Sequence, residues 1–374
     1  EHSLLVAQTG ISGSTRLGHH VVMAGQSGAA GHLTLASGTQ VAAQSAVMHD
    51  TAPGAVVSGS PARPLREPQR ALAALYRLAA LRKRVRALAQ GVRYLEVRFA
   101  PQLLVSTGEA CVQALKSVGD GLARAARRHN ASDAVRQGGD IPFEWAIICC
   151  AMRNFGRGMG AYFDRLLDVL PGMAHKEVVA IASREAVRAA VAARDRYGVP
   201  VMGFDLAGEE AGYPAGHHYA AYEEAHHHFI RKTVHAGEAY GPESIYEAIA
   251  RCHAERIGHG TFLFSPELIR DPSITDRQGF VDALAEYIAT MRVTIEVCPT
   301  SNLQTIPELA GDIRKHPVKR MLGYGMAVAV ATDNTLVSHT NINRELALVS
   351  DACDLDLAAF KRLVMAGFKG AFYP

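Results

Sequence analysis

Residues 231–238 read RKTVHAGE and residues 255–260 read ERIGHG. Each is a short β-rich run that stops at a histidine with a glycine close behind it, and longer stretches with helical spacing flank both. The same grammar repeats outward from this pair. VRYLEVRF (92–99), FEWAIICC (143–150) and VPVMGFDL (199–206) come before it, and VTIEVCP (293–299) and MAVAVATD (326–333) after it. Strand then helix, repeated, predicts an α/β fold in which outer helices cover a parallel sheet, a (β/α)8 TIM-type barrel. Polar residues gather at the C-terminal ends of the strands, where such barrels carry their chemistry. The runs number seven, one short of the eight that close a barrel of this kind.

His235 ends one run and Glu238 stands three residues on, which sets a metal-ligand type beside an acid/base group. His259 ends the next run, in IGHG, and Asp333 the last, in ATDN. Imidazole and carboxylate ligands from separate strands suit Zn²⁺, which lowers the pKa of bound water to about 7 and so yields a hydroxide nucleophile at neutral pH. A protonatable Glu nearby then donates to the group under attack.

The bulk composition of the 374 residues fits this globular reading: 48% hydrophobic, 20% charged, mean hydropathy +0.02. The 39 basic and 36 acidic side chains leave +3, which argues against a nucleic-acid partner. No apolar run approaches the roughly 20 residues that span a bilayer, and EHSLLVAQTG lacks the basic flank of a signal peptide, so a cytoplasmic protein without a membrane partner is expected. The six cysteines form no C-x-x-C pair and read as reduced, buried thiols. The start at Glu1, in mid-pattern, reads as a fragment end.

The first part of the chain has a different grammar. Leu5, Ile11, Leu17, Met23, Ala29, Leu35, Val41 and Val47 recur every six positions, and a small residue or histidine follows each by two, as at Ala7, Gly13, His19 and His49. A turn-rich period of six predicts a left-handed parallel β-helix fragment over 1–66. A basic amphipathic helix and junction follow over 67–90, with Leu75, Leu78, Leu81, Val85 and Leu88 on one face, and the barrel occupies 91–374.

Residues 91–374 resemble the adenosine deaminases, metal-dependent hydrolases of the TIM-barrel kind, through GVRYLEVRFAP, GFDLAGEE, TVHAGEA, ERIGHGT, EVCPTSNLQT and ATDN. The resemblance implies hydrolytic loss of the 6-amino group of adenosine or a related purine nucleoside. It implies that His235 and Asp333 bind Zn²⁺, that Glu238 protonates a purine ring nitrogen, and that His259 orients the hydroxide. The Gly208 N–H would bond another ring nitrogen. Asn334 stands where the family has a second aspartate, and its amide can still donate to the purine. The family opens with a strand carrying H-x-H, two zinc ligands, ahead of the segment that matches Gly91, and no such strand is present. His226 and His228 form an H-x-H in a helical stretch and would face away from the metal, while His217 and His218 lie in a loop. AFYP ends where the family continues through a final helix.

Residues 1–90 resemble the C-terminal part of the UDP-3-O-acylglucosamine N-acyltransferases, through GISGSTRLGHHVVMAGQSGAAGHLTLASGTQVAAQSAV, the exit GAVVSGSPARPLRE and the basic helix. That family trimerises through its β-helix, so a homotrimer is implied, and His32 matches a second histidine near its acyl-donor groove. Two alternatives to the deaminase therefore stand: a trimeric acyltransferase-like module, and an inactive fusion of two truncated genes.

Overall fold

In the computed structural model, residues 1–43, 45–58, 63–64, 88–335 and 337–373 are described. The chain divides into two compact units, Glu1–Arg82 and Lys83–Pro374. The basic helix expected over 67–90 lies almost wholly outside the described residues.

The first unit is built from strands of two or three residues: β1 (Leu4–Leu5), β2 (Gly10–Ile11), β3 (Arg16–Leu17), β4 (Val22–Met23), β5 (Gly28–Ala29), β6 (Thr34–Leu35), β7 (Gln40–Val41), β8 (Ala46–Val47), β9 (Val56–Ser58) and β10 (Arg63–Pro64). They pair in parallel as β1-β4-β7-β9, β2-β5-β8 and β3-β6, and β10 adds antiparallel to β9. Leu4 pairs with Val22, Gly10 with Gly28 and Arg16 with Thr34, so the sixfold pattern stacks every third repeat. The register carries side chains with it: Gln26 donates to Gln8 at 2.9 Å, 18 residues away. Gln8, Ser14, His20, Gln26 and His32 all turn the chain with φ of 56° to 64°. The apolar positions of the repeat form a small core of Met23, Ala29, Leu35, Val41 and Val47, joined by Val21 and Val57. His19, His20, His32 and His49 are exposed.

Among the described residues the second unit holds seven parallel strands: β11 (Tyr94–Phe99), β12 (Glu144–Met152), β13 (Val201–Ala207), β14 (Arg231–Ala236), β15 (Arg256–His259), β16 (Thr294–Val297) and β17 (Val328–Val330). Each pairs with the next in chain order. All seven fall within or beside the expected runs. β12, EWAIICCAM, is buried over most of its length, as a strand covered on both faces must be, and so reads as continuously apolar. Its covering helices are Gly108–Asn130 and His175–Tyr197. The first starts where the Thr107 hydroxyl accepts the Ala110 N–H at 3.2 Å, and the second stops at Gly198 in the left-handed region, φ 63°.

Ion pairs across the interior show that this sheet curls. Arg98 of β11 bonds Glu296 of β16 at 2.8 Å, and Arg256 of β15 bonds Glu96 of β11 at 2.7 Å, although neither pair of strands is adjacent in the sheet. Only a sheet bent round toward closure brings its first strand opposite its fifth and sixth. The result is a curled parallel half-barrel, and among the described residues β17 and β11 do not pair.

The N-terminal mouth of the sheet is filled by the tail. Phe372 is fully buried, its ring under the Arg256 guanidinium at 3.7 Å, and its N–H donates to Glu96. A Cβ on Gly203 would stand 2.7 Å from that ring, so β13 needs glycine where the tail packs.

Candidate active site

The opposite ends of the strands carry the expected residues. His235 is the penultimate residue of β14, and its Nδ1 lies 3.1 Å from the carboxylate of Asp205 on β13. Burial pushes the His235 imidazole down, but Asp205 outweighs burial and holds it above its ordinary pKa. Burial pushes Asp205 up, and His235 with Arg98 reverses this, so its carboxyl sits well below the usual range.

His259 closes β15 at φ 68°, in the left-handed region. The following Gly260 is also left-handed, so the chain turns sharply and aims the ring into the mouth of the sheet. Asn302 fixes the tautomer. Its Oδ1 accepts the Cys298 N–H at 3.3 Å, so its Nδ2 is the donor to His259 Nδ1 at 3.0 Å. The His259 proton is then on Nε2, which faces Glu238 Oε2 at 3.6 Å. Burial, reinforced by His235, keeps this imidazole below its ordinary pKa. The rings of His235 and His259 lie 5.1 Å apart.

One short helix, Pro299–Thr305, touches three of the expected residues. Ser301 donates to Asp333 at 2.8 Å, Asn302 holds His259, and Thr305 donates to Glu238 at 3.3 Å. The sequence had offered this helix only as part of the stretch EVCPTSNLQT, without roles for its members. Asp333 itself lies beyond the end of β17, exposed, at φ 49°. The structure thus brings His235, Glu238 and His259 together and ties Asp333 to the same helix. Gly208 sits at φ 104° in the loop after β13, and Asn334 is exposed beside Asp333.

Below these residues runs the chain of charges that sequence reading missed. Arg98 lies 3.6 Å from Asp205 and bridges to Glu296, and Glu296 in turn lies 2.7 Å from Arg256. Burial pushes the Glu296 carboxyl up, but Arg256 and Arg98 together bring it down to about 2. Each of these charged residues belongs to a strand, and alternation alone could not show that they converge.

The zinc expected here does not fit the residues present. Three or four protein ligands are normal for zinc. Among the described residues no group of three or more His, Cys, Asp or Glu side chains could hold one ion. The remaining positions, 44, 59–62, 65–87, 336 and 374, contribute one residue of ligand type, Glu67. His226 and His228 lie at the end of the helix Tyr219–His227, where His226 packs against His253 and not against the strand-end residues. His218 is buried against Ser183, with Nδ1 2.6 Å from the hydroxyl.

Imidazoles and a carboxylate thus meet at the C-terminal strand ends of a curled parallel sheet. The model of the family described as adenosine deaminase matches residues 69–374, and the chain belongs to that family. The adenosine deaminase of Mycobacterium bovis is 33% identical over 287 residues, 76% of this chain and 67% of that protein. Among solved structures, an adenine deaminase from Arthrobacter aurescens superposes with a TM-score of 0.55 at 21% identity, covering 79% of this chain and 74% of that one. An amidohydrolase from Burkholderia ambifaria with bound Zn gives 0.56 at 19% identity, covering 80% and 68%.

Proposed function

We propose that the second unit is a purine-recognising aminohydrolase site whose target is the exocyclic amine of adenosine or a related nucleoside, and that its metal centre is incomplete in this chain. The carrying observation is the contact of Glu238 with His259 at the strand ends of a family member. In this reading Glu238 gives a proton to a purine ring nitrogen, and the neutral His259 orients the attacking oxygen. The Gly208 N–H and the Asn334 amide bond other nitrogens of the base. His235 and Asp333 are ligand types that zinc takes, and two such groups fall short of a stable site. Titration calorimetry with adenosine tests the recognition. Saturable binding that is weakened in Glu238→Ala supports the reading, and absence of binding to adenosine, deoxyadenosine and adenine alike would sink it.

For residues 1–66 we propose a left-handed parallel β-helix fragment of the acyltransferase kind, fused to a deaminase unit. Its support is the parallel register in which every third repeat stacks. Trimerisation through such a fragment is read by light scattering, where a monomer speaks against it.

A further inference from the structure

Glu210 lies three residues beyond the end of β13, two after Gly208, with 6% of its surface exposed. Among the described residues no lysine or arginine forms an ion pair with its carboxylate. Instead Oε1 accepts the Gly237 N–H at 2.8 Å, and Oε2 accepts those of Glu238, Ala239 and Tyr240 at 3.0, 2.6 and 3.0 Å. The Ser244 hydroxyl also donates to Oε1. Successive N–H groups that converge on one point form an anion-binding nest, and here a side chain of the neighbouring strand's loop fills it. The nest exists because Gly237 takes φ 73°, where a Cβ would stand 2.6 Å from Ile245. The helix Pro242–Ala250 that follows presents its positive end to the same carboxylate.

A second tie joins the same two segments from below. Arg153, 1% exposed, donates from Nη1 to the Tyr213 carbonyl at 2.7 Å and from Nη2 to the carbonyl of His235. The loop after β13 is therefore fastened to the exit of β14 at two points, one at the His235 carbonyl and one across Gly237–Tyr240, the span that includes Glu238.

We propose that Glu210 is a positioning residue: its carboxylate holds the amides Gly237–Tyr240, fixes the backbone from which Glu238 reaches His259, and couples Glu238 to the Gly208 loop. The positioning role deepens the purine reading above and rests on it, whereas the clasp itself does not. A carboxylate is required because one group must accept five donors, and charge-assisted bonds are roughly twice as strong as neutral ones.

The test compares the full chain with Glu210→Ala, Glu210→Gln and Ser244→Ala by amide hydrogen exchange and by adenosine titration. Losing a charged acceptor should speed exchange at Gly237–Tyr240 roughly 10- to 100-fold in Glu210→Ala, with Thr233 and Val234 unchanged. Adenosine should bind about 10-fold more weakly, Glu210→Gln should recover part of that loss, and Ser244→Ala, which removes one of the five donors, should lose less than Glu210→Ala does. Unchanged exchange at the four amides in both Glu210 variants overturns the clasp. Faster exchange with unaltered adenosine affinity overturns the positioning role and leaves a structural one. If the parent chain binds no purine, the proposed function and the positioning role fall together, while the exchange rates still decide the clasp.

Discussion

Asp205 shows how much a single side chain does here. Fully buried, it bonds His235, receives the Cys150 thiol at 3.3 Å and stands beside Arg98. Removing one member of a buried charge group leaves the others uncompensated, so Asp205→Ala should cost about 3 to 5 kcal/mol in urea unfolding. A loss under about 1 kcal/mol, the scale of exposed pairs, would contradict that account. At this scale the sequence was half legible. His235, Glu238 and His259 could be found because strand ends in an α/β pattern converge by construction. Arg98, Asp205 and Glu296 lie inside strands, and which of them meet depends on curvature, since Arg98 reaches a partner 198 residues away. Glu210 was equally hidden, because a carboxylate that binds backbone amides leaves no partner residue to recognise.

The strands were the most legible elements, since each is a short apolar run bounded by polar residues. Their limits shifted where pairing decides them: β12 runs on to Met152, and β17 stops at Val330, leaving Asp333 in a turn. The helix Pro299–Thr305 was visible as a stretch but not as the element that holds His259, Glu238 and Asp333. The tail was read only for its length, whereas Phe372 plugs the sheet between Arg256, Arg231 and Gly203. Truncating a fully buried phenylalanine costs about 3 to 5 kcal/mol, so Phe372→Ala should lower the urea midpoint strongly. Tyr373→Ala, at a half-exposed ring stacked edge-on against Tyr94, should cost much less. Equal losses would show that the tail packs without a specific plug.

Over the whole molecule, stability should fall with acid in two windows. Burial pushes the His218 imidazole down to about 3. Its folded pKa lies below the unfolded value of about 6.5, so the unfolded chain gains a proton first and stability drops as pH falls from about 6.5 toward 3. His316, pushed down to about 4 by burial, adds in the same direction. Glu296, held at about 2, has its contribution in place above about pH 4.3 and loses it as pH falls toward 2. His218→Gln should flatten the upper window in a series of urea midpoints, and an unchanged slope there would refute the assignment. Among the described residues no helix is long and apolar enough to cross a membrane. The chain divides into two compact units, Glu1–Arg82 and Lys83–Pro374.

The chain belongs to the adenosine deaminase family, yet among its described residues no three His, Cys, Asp or Glu side chains could hold one metal ion. The most direct test incubates the purified chain with zinc, removes the excess, and measures both bound metal and ammonia released from adenosine. Less than one zinc per chain and no turnover are expected. One zinc per chain, with ammonia release in the ordinary enzyme range of about 1 to 10³ s⁻¹, would contradict that expectation.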